Sequence, residues 1–520
     1  MMNLRSFVAV VIFLIALVIG AHLRLTRLDH RPMHLDEAIQ GMKFGELIEK
    51  GDFQYDPHDF HGPVLLYSTL PLAWLSGASE LTAVSEKQLR LVPALYGVGC
   101  LLLLLWGWRA LGALEAALAA LLVALSPILV FYSRYFIMEM PLVFLVSVAM
   151  LSLWSYARRP SYLWAILFGV VGGLAHATKE TGAISFFCFG LALILLSIFD
   201  RQCRRTVLQQ FVWKHWLVGL VCGLLVSALA FTVCFKNPWA AVESVLTYFK
   251  YADRADGVGH EKPWHYYIQT LIFSRADRGP IWSEGLIVFF GLAGIVLSFT
   301  RLTGDRRIVW RFLSIYTVSM AVIYSFIPYK TPWSMLSWVF SLALLAGFAI
   351  ASLFSLRGRK RWLAGITLLI AGFGLWHGWG QNALGIDRYR ADERNPFVYG
   401  HTSTDVARLV QQVNDLSALH PDGKEMAVNV YNEDFGWPLP WYWRDFSDIG
   451  FWPEVPENPR SAPVVLVSET MDAEVAESLE ETHYSRFFGL RPGMTLVIYI
   501  ENDLWKKLIE SRTTRPAVAG

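Results

Sequence analysis

Long apolar stretches alternate with short polar loops along this chain, and the alternation predicts its elements. Eleven of the stretches are about 18 or more residues long, which is the length that an α-helix needs to cross a bilayer. A shorter one, 63–78, is interrupted by Pro71, so we expect a re-entrant or interfacial segment there. The pattern therefore predicts an α-helical polytopic membrane protein. The eleven spans lie near residues 6–23, 88–109, 112–132, 136–157, 161–178, 182–199, 215–235, 282–300, 309–327, 333–355 and 361–380.

The composition agrees with this class. Of the 520 residues, 54% are hydrophobic and 17% are charged, whereas a soluble protein carries about a quarter charged residues. The net charge of +2 gives no indication of nucleic-acid binding, because the basic residues are distributed among separate loops. The five cysteines contain no CxxC spacing, so the sequence predicts neither a disulfide framework nor a cysteine metal site.

Lysine and arginine collect in loops that all fall on one side of the membrane when eleven spans are counted. Because cytoplasmic loops carry the excess of positive charge, this side and the N-terminus are predicted to be cytoplasmic. Arg5 and the apolar run after it resemble a signal peptide, but no small-x-small cleavage site follows. We therefore expect an uncleaved anchor in the cell membrane. The basic loops are at Arg109, 158–159, 201–214, 301–311 and 357–361.

The external side receives the long loops 24–87 and 236–281 and everything after the last span. We predict two domains: a transmembrane domain, 1–384, which includes both loops, and an external domain, 385–520.

The external domain is predicted to be a small α/β unit. Its aromatic segment, 437–445, is typical of a domain that packs on the membrane surface or of a wall for a sugar or lipid. Alternating and apolar runs predict strands, and a periodic run predicts a helix. The strands are expected at 427–431, 463–467 and 494–500, and the helix at 472–481.

The first external loop carries a histidine and two carboxylates close together, His34, Asp36 and Glu37, just beyond the first span. A carboxylate at this shallow depth is suited to act as general base on a membrane-bound substrate. The alternative is an acidic first turn on a surface helix running from about Asp36 to Lys50, where carboxylates are favoured by the helix dipole.

Two histidines of the same loop extend the candidate chemistry to metal binding. His34, Asp36, His58 and His61 are residue types that hold zinc or manganese. Their spacing matches no tight ligand motif, and loop histidines more often serve as hydrogen-bonding groups. We therefore predict no cofactor, with a divalent metal as the less favoured alternative.

A second external motif places Arg134 and Glu139 at the start of the fourth span. An unpaired carboxylate is costly in apolar surroundings, and a separation of five residues does not give a helical i,i+4 pair. We expect Glu139 to face the bundle interior and to find a partner from another loop. A purely structural ion pair is the alternative to a substrate-binding role.

Lysines next to the external ends of two spans run against the charge bias of that side. Lys179, followed by Glu180, and Lys330, preceded by Tyr329, are suited to hold a phosphate as compact point charges. Lys179 has Glu180 beside it as a local neutralising group. The chain contains no P-loop, GxGxxG or GxSxG motif, which disfavours nucleotide-driven transport and serine hydrolysis.

In order and in their shared external face, these motifs resemble those of the GT-C membrane glycosyltransferases, especially the protein O-mannosyltransferases and the lipid A aminoarabinose transferases. The whole chain is similar to a prokaryotic group of that superfamily known loosely as flippase-activity-associated. The motifs are His34–Glu37, His61-Gly62-Pro63, Ser133–Tyr135 with Glu139, Thr178–Gly182 and Tyr329–Trp333.

The resemblance implies transfer of a sugar from a polyprenyl-phosphate carrier to a glycan, lipid or protein acceptor at the outer face. By this analogy Asp36 is the base and Glu37 supports it or shares the role. Glu139 and Arg134 shape the substrate pocket, and Lys330 or Lys179 holds the leaving phosphate. We expect Asp36, Glu139 and Lys330 to line one cavity. The α/β external domain departs from the β-trefoil module of the eukaryotic mannosyltransferases.

Two other functions compete with the enzyme. One is a transporter or accessory protein for flipping lipid-linked glycans, and the other is an assembly subunit with an inactive site. A transporter is expected to carry polar residues near the bilayer midplane and internal repeats. The spans here are apolar through their centres and show no repeat, which favours the enzyme.

Overall fold

The computed structural model describes residues 4–58, 61–254, 259–300, 306–354, 356, 361–458 and 460–514. Residues 255–258 of the predicted external loop and 301–305 and 357–360 of the predicted basic loops lie outside the described residues. The described helices, numbered in chain order, are α1 (Leu4–Leu25), α2 (Leu35–Lys50), α3 (Val64–Ser76), α4 (Glu86–Trp106), α5 (Trp108–Leu111), α6 (Ala113–Leu125), α7 (Pro127–Ser133), α8 (Glu139–Arg158), α9 (Tyr162–His176), α10 (Gly182–Phe199), α11 (Arg201–Gln210), α12 (Trp213–Phe231), α13 (Trp239–Arg254), α14 (Tyr266–Ile272), α15 (Gly285–Thr300), α16 (Arg306–Phe326), α17 (Leu336–Phe354), α18 (Arg361–Ile386), α19 (Asp405–Leu419), α20 (Leu439–Tyr442), α21 (Asp472–Leu479) and α22 (Asn502–Thr514). The strands are β1 (Val428–Tyr431), β2 (Ile449–Trp452), β3 (Val464–Ser468), β4 (His483–Arg491) and β5 (Met494–Glu501).

The chain divides into two compact units. The membrane unit comprises 1–28, 50–76 and 87–399, and the C-terminal unit comprises 29–49, 77–86 and 400–520. This division differs from the predicted domains, which meet at 384/385 and assign the whole first external loop to the transmembrane part. Two pieces of that loop belong to the C-terminal unit because they hydrogen-bond to its residues, for example through Tyr442, whose hydroxyl accepts from the backbone N–H of Met33 at 2.7 Å.

Each of the eleven predicted spans is helical, which confirms an α-helical polytopic fold. Among the described residues, eight helices are long and apolar enough to cross a membrane. A ninth candidate is a pair bent by 64°, α6 and α7, which meet at Ser126 and Pro127. Two more predicted spans, α9 and α15, are only 15 and 16 residues long. The eight are α1, α4, α8, α10, α12, α16, α17 with the turn before it, and α18.

The bend between α6 and α7 has a local cause. Ser126 caps α7 with its side chain, which accepts a hydrogen bond from the backbone N–H of Leu129, and Pro127 takes the first helical position. Proline lacks the N–H that would continue α6, so a new helix begins here. Because both helices are apolar, hydropathy alone predicts a single span here.

At the centre of the membrane unit lies α17, the most buried of the candidate spans. It packs against α6, α15 and α16. Its residues from Leu336 to Ala351 are hydrophobic or glycine except for Ser337 and Ser341, which is the composition of a helix that is buried on every side.

Glycines bring α9 and α12 into backbone contact. A Cβ at Gly169 would lie 1.8 Å from the carbonyl oxygen of Gly219, and a Cβ at Gly173 would lie 2.2 Å from that of Gly223. Both helices therefore carry small residues four apart on the contact face. This spacing is the small-xxx-small pattern of closely packed membrane helices.

The C-terminal unit contains a five-stranded mixed sheet in the order β2-β1-β3-β5-β4. The strands β2, β1 and β3 are parallel, whereas β5 runs antiparallel to both of its neighbours, β3 and β4. Helices α19 and α22 pack their apolar residues against one face, and Val475 of α21 packs against the other. The predicted α/β fold is confirmed, and the sequence analysis missed β2, β4, α19 and α22.

Neither predicted role fits the centre of the aromatic segment 437–445. Trp441 and Trp443 are fully buried, so these two rings form part of the core rather than a surface for membrane or sugar. The indole N–H of Trp441 donates to Glu86 at 2.9 Å. The Arg444 guanidinium stacks on the Trp441 ring at 4.0 Å and donates to the backbone carbonyls of 81 and 84. The segment thus holds residues 77–86 within the C-terminal unit.

The glycine contact generates a stability prediction. Gly169→Ala forces α9 and α12 apart, because a carbonyl oxygen cannot yield as a flexible side chain does. We expect a cost of about 1–3 kcal/mol and a lower thermal unfolding midpoint in detergent. Gly172→Ala on the same helix is the matched control, because its Cβ would meet only Phe186, at 3.9 Å. Equal midpoints for the two variants would contradict the contact.

Candidate active site

The turn that opens α2 separates the two neighbouring carboxylates. Glu37 is fully buried, and its carboxylate accepts hydrogen bonds from the guanidinium of Arg31 and from the backbone N–H of His34, both at 3.1 Å. A glutamate that reaches back to satisfy a free N–H at a helix start forms half of a capping box. The predicted helix with an acidic first turn is therefore confirmed, and the hydrogen bonds of Glu37 stabilise the start of that helix.

Asp36 differs from Glu37 in its exposure and in its contacts. Its side chain is 41% exposed, and its carboxylate lies 3.8 Å from Nδ1 of His34. That same nitrogen accepts a hydrogen bond from the backbone N–H of Asp36 at 3.0 Å. A ring nitrogen that accepts carries no proton, so the contact between Asp36 and this nitrogen is not an ion pair. The carboxylate of Asp36 is the accessible member of the pair.

The residues before α2 are fixed from within the C-terminal unit. The hydroxyl of Thr402 donates to the backbone carbonyl of Met33 at 2.5 Å. The His34 ring is buried and meets the ring of His401 edge-on, with centroids 5.0 Å apart. The candidate base therefore begins a helix whose first turn is held by several independent contacts.

In the membrane unit, Glu139 and Lys179 form a buried ion pair. Glu139 is the first residue of α8, and Lys179 lies in the turn between α9 and α10. Both are more than nine-tenths buried. Glu139 finds its partner in another loop, as the sequence analysis expects. Its second oxygen, Oε2, is buried without a hydrogen-bond partner among the described residues.

The neighbouring residue of that turn makes a second pair. Oε2 of Glu180 lies 2.6 Å from Nδ1 of His61. Burial alone raises the pKa of the Glu180 carboxyl, but the charge and hydrogen bond of His61 outweigh it and hold the pKa below its ordinary value. Glu139, Lys179, Glu180 and His61 thus form one cluster of polar groups, which we call the buried charge cluster.

Gly62 allows the His61 loop to reach this cluster. A Cβ at position 62 would lie 2.1 Å from the carbonyl oxygen of Ala177. The same carbonyl accepts from the N–H of Val64 at 3.1 Å, at the start of α3. The His-Gly-Pro motif therefore places its histidine by a backbone contact that any side chain at the glycine would block.

Arg134 serves the end of α1. Its buried guanidinium donates to the backbone carbonyls of Leu23, Thr26 and Arg27 at 2.8, 2.5 and 2.9 Å. The last carbonyls of a helix have no partner within the helix, and a cation there also favours the dipole. These contacts give Arg134 a structural role that the sequence analysis did not foresee.

Lys330 is buried beside a short antiparallel bridge between Glu261 and Tyr329. Its ammonium group donates to the backbone carbonyls of Ile327 and Lys262. Burial lowers the pKa of Lys330. Among the described residues, these carbonyls take two of the three ammonium protons, which explains how the buried cation is tolerated and leaves one donor.

Aromatic rings surround the Tyr329–Trp333 motif, and the sequence analysis missed this cluster. Trp333 has Tyr132 and Tyr399 within 5.8 Å, centroid to centroid, and Tyr135 within 6.2 Å. His260 lies 4.6 Å from the Tyr329 ring and 2.5 Å from the hydroxyl of Tyr399. The sequence offers Tyr135 and Tyr329 as a signal for this cluster, because both lie within external motifs. No local pattern marks His260 or Tyr399 as its members.

Within the described ranges, no group of three His, Cys, Asp or Glu side chains is arranged to hold a metal ion. His58 contacts the ammonium group of Lys250 at 2.7 Å, while His61 pairs with Glu180. Of the four residues considered as ligands, His58 and His61 thus have other partners, while His34 and Asp36 contact each other. The prediction that no cofactor is needed stays a prediction.

The structure groups the candidate residues in two sets. His61, Arg134, Glu139, Lys179, Glu180, Tyr329 and Lys330 lie in the membrane unit, and His34, Asp36 and Glu37 lie in the C-terminal unit. The expectation that Asp36, Glu139 and Lys330 line a single cavity stays a prediction.

Part of the chain is similar in sequence to known mannosyltransferases. Residues 58–238 match the family model of dolichyl-phosphate-mannose-protein mannosyltransferases. A curated relative, dolichyl-phosphate-mannose–protein mannosyltransferase 6 of Saccharomyces cerevisiae, is 23% identical over 217 residues, which are 39% of this chain and 28% of the relative. The chain therefore spans little more than a quarter of the length of that relative.

Solved structures extend the match to nearly the whole chain. ArnT from Cupriavidus metallidurans, in a crystal structure bound to undecaprenyl phosphate, superposes with a TM-score of 0.64 at 16% identity, covering 96% of this chain and 99% of ArnT. The chain therefore has the fold of ArnT over nearly its whole length. The oligosaccharyltransferase of Archaeoglobus fulgidus shares this fold, with a TM-score of 0.54 and 15% identity over 85% of this chain and 64% of that one. This fold agrees with the resemblance drawn from the motifs, and the transporter alternative is not favoured.

The buried charge cluster generates a prediction that separates structure from catalysis. Lys179→Met leaves the Glu139 carboxylate buried and unpaired, which typically costs about 3–5 kcal/mol. We expect a large fall of the thermal unfolding midpoint in detergent. Adding Glu139→Gln is expected to restore most of it, because the uncompensated charge is then removed.

A matched control is Lys506→Met, which breaks the exposed pair with Asp503 in α22 and is expected to cost less than about 1 kcal/mol. If Lys179→Met melts no lower than this control, the buried pair does not support the fold.

Proposed function

We propose that this chain transfers a sugar from a polyprenyl-phosphate-linked donor to a hydroxyl or amine acceptor at the outer face of the membrane. The observation that carries the proposal is an accessible Asp36 beside a fully buried Glu37, on a chain with the GT-C fold over 96% of its length. ArnT binds undecaprenyl phosphate, and the matched family uses dolichyl-phosphate mannose. These relatives support a lipid-linked phosphate donor here.

Asp36 is the proposed general base. Its carboxylate removes the proton of the acceptor as the acceptor oxygen or nitrogen bonds to the anomeric carbon. The bond from that carbon to the phosphate oxygen breaks, and its electron pair leaves with polyprenyl phosphate. A direct displacement of this kind inverts the anomeric centre and needs one base and a stabilised leaving group.

Glu37 and His34 are proposed positioning residues rather than proton acceptors. The Glu37 carboxylate is fully buried and already accepts hydrogen bonds from the Arg31 guanidinium and a backbone N–H. His34 holds the backbone of Asp36 through Nδ1. The pair of acids thus divides into a reactive group and a group that fixes its helix.

The leaving phosphate is assigned to Lys330. Its remaining ammonium proton is available for a phosphate oxygen, and the aromatic residues Tyr329 and Trp333 beside it suit the apolar and sugar parts of the donor. Lys179 is less suited, because Glu139 already neutralises its charge.

Glu139 is proposed to bind a substrate hydroxyl. Its Oε2 atom is a buried acceptor without a hydrogen-bond partner among the described residues, and a sugar or acceptor hydroxyl is the kind of donor that satisfies it. Arg134 and the His61–Glu180 pair support the surrounding loops.

The orientation is part of the proposal. Positive charge in one set of loops supports a cytoplasmic N-terminus in the cell membrane and an external C-terminal unit. The acceptor is a glycan, lipid or protein group, and the residues named here do not discriminate among these classes.

Transfer of labelled sugar from a polyprenyl-phosphate sugar to cell-envelope acceptors tests the base. We expect Asp36→Asn in the purified protein to lower turnover by about 10²–10⁴-fold, the usual contribution of a general base, with the unfolding midpoint unchanged. Glu46→Gln on the same helix is the control, since its side chain is 48% exposed and its salt bridge is with Lys43, three residues earlier. Undiminished turnover in Asp36→Asn removes Asp36 from its assigned role.

Lys330 gives a pH prediction. Because burial lowers its pKa, the ammonium loses its proton at a lower pH than an ordinary lysine, and phosphate binding weakens as pH rises through that value. We expect the KM for the donor to rise on the alkaline side in the wild type, and Lys330→Met to have a high KM at every pH. A KM profile that is the same in wild type and Lys330→Met would exclude Lys330 from phosphate binding.

A further inference from the structure

The membrane unit contains an apolar cavity at the helix ends that carry arginines, away from the residues assigned to the reaction. It is lined by α4, α5, α8, α10, α16 and α17 and includes Leu104, Leu151, Trp154, Leu193, Phe312 and Phe340. Its empty space, counted with the open side, is about 870 Å³.

The side chains that line the cavity are almost entirely apolar. Among the described lining residues, Ser147 alone carries a hydroxyl, and that hydroxyl donates to the backbone carbonyl of Val143 at 2.7 Å. A cavity without unsatisfied polar groups does not hold ordered water. A hydrocarbon chain is the occupant whose chemistry it matches.

Three exposed arginines flank this lining. Arg109 precedes Ala110 of the lining, Arg158 follows Ala157, and Arg306 lies two residues before Ile308. The Arg158 guanidinium stands over the ring of Trp154, 5.5 Å from its centroid. Cationic side chains at the end of an apolar cavity are complementary to an anionic headgroup on a hydrocarbon chain.

Two acids lie in the same region. Glu115, in the first turn of α6, is 3.4 Å from the guanidinium of Arg5, and Asp200 pairs with Arg307 and Arg311. Both acids are therefore balanced by arginines outside the proposed site, so this end of the bundle remains positive among the described residues.

We propose that this cavity binds an anionic phospholipid, with one acyl chain between the helices and the phosphate on Arg109, Arg158 and Arg306. The sequence predicts these arginines to be cytoplasmic, so the lipid belongs to the inner leaflet. The site does not depend on the proposed reaction, because it shares no residue with it.

Native mass spectrometry of the purified full chain tests the site. The probes are phosphatidylglycerol and phosphatidylcholine with identical acyl chains, so that only the headgroup charge differs. We expect the wild type to retain phosphatidylglycerol on the order of tenfold better. Arg109→Gln/Arg158→Gln/Arg306→Gln is expected to lose this preference.

The matched control is Arg201→Gln/Arg204→Gln/Arg205→Gln, which removes the same charge from exposed positions of α11 and is expected to keep the preference. Ala157→Phe fills the cavity and is expected to lower retention of both lipids. The arginine variants test the headgroup site separately, because they leave the packing of the cavity lining unchanged. Equal retention of the two lipids by the wild type, equal loss in the control triple, or displacement of phosphatidylglycerol by equimolar undecaprenyl phosphate would each overturn the proposal.

Discussion

The buried pairing of charges is the constraint on which the membrane unit depends. A carboxylate or ammonium in apolar surroundings is expensive unless an opposite charge or several hydrogen bonds accompany it. Glu139 is matched by Lys179 and Glu180 by His61. Lys179 and Glu180 are adjacent in the turn between α9 and α10, but they pair with residues of different elements. This one turn therefore contacts both the start of α8 and the loop before α3. The close approach of Gly62 to Ala177 makes that geometry reachable.

The same physics explains why adjacent, chemically similar residues have different roles. Asp36 and Glu37 differ by one methylene and one position, yet Glu37 lies on the face of α2 that meets Arg31, while Asp36 remains accessible. Lys179 and Lys330 are also both buried, but one is neutralised by a carboxylate and the other is solvated by backbone carbonyls. Partner type, rather than residue type, decides which group retains capacity for a substrate. On the proposed function, this leaves Asp36 for proton transfer and Lys330 for phosphate.

The sequence analysis was most successful where one physical signal dominated. Uninterrupted hydropathy located all eleven helical regions, since a membrane span must satisfy its own backbone and stay apolar. It was less successful where two signals compete. The stretch 112–132 is uniformly apolar, so only Pro127 and the cap at Ser126 reveal that it is two helices. Strand β2 was missed because its four residues, Ile449–Trp452, are half-buried and include a glycine, and the helices α19 and α22 were missed beside the stronger strand pattern.

By itself, the sequence determined that this chain is a polytopic membrane protein, that its motifs resemble those of the GT-C membrane glycosyltransferases, and which acids and lysines are unusual for their positions. Those properties depend on composition and short-range spacing, which are written in the chain. The tertiary structure alone decided that Arg134 caps α1, that Trp441 and Trp443 are core residues, and that His260 and Tyr399 join the Tyr329 motif. Each of these depends on groups far apart in sequence, and no local pattern specifies which distant carbonyl, carboxylate or ring will be brought within reach.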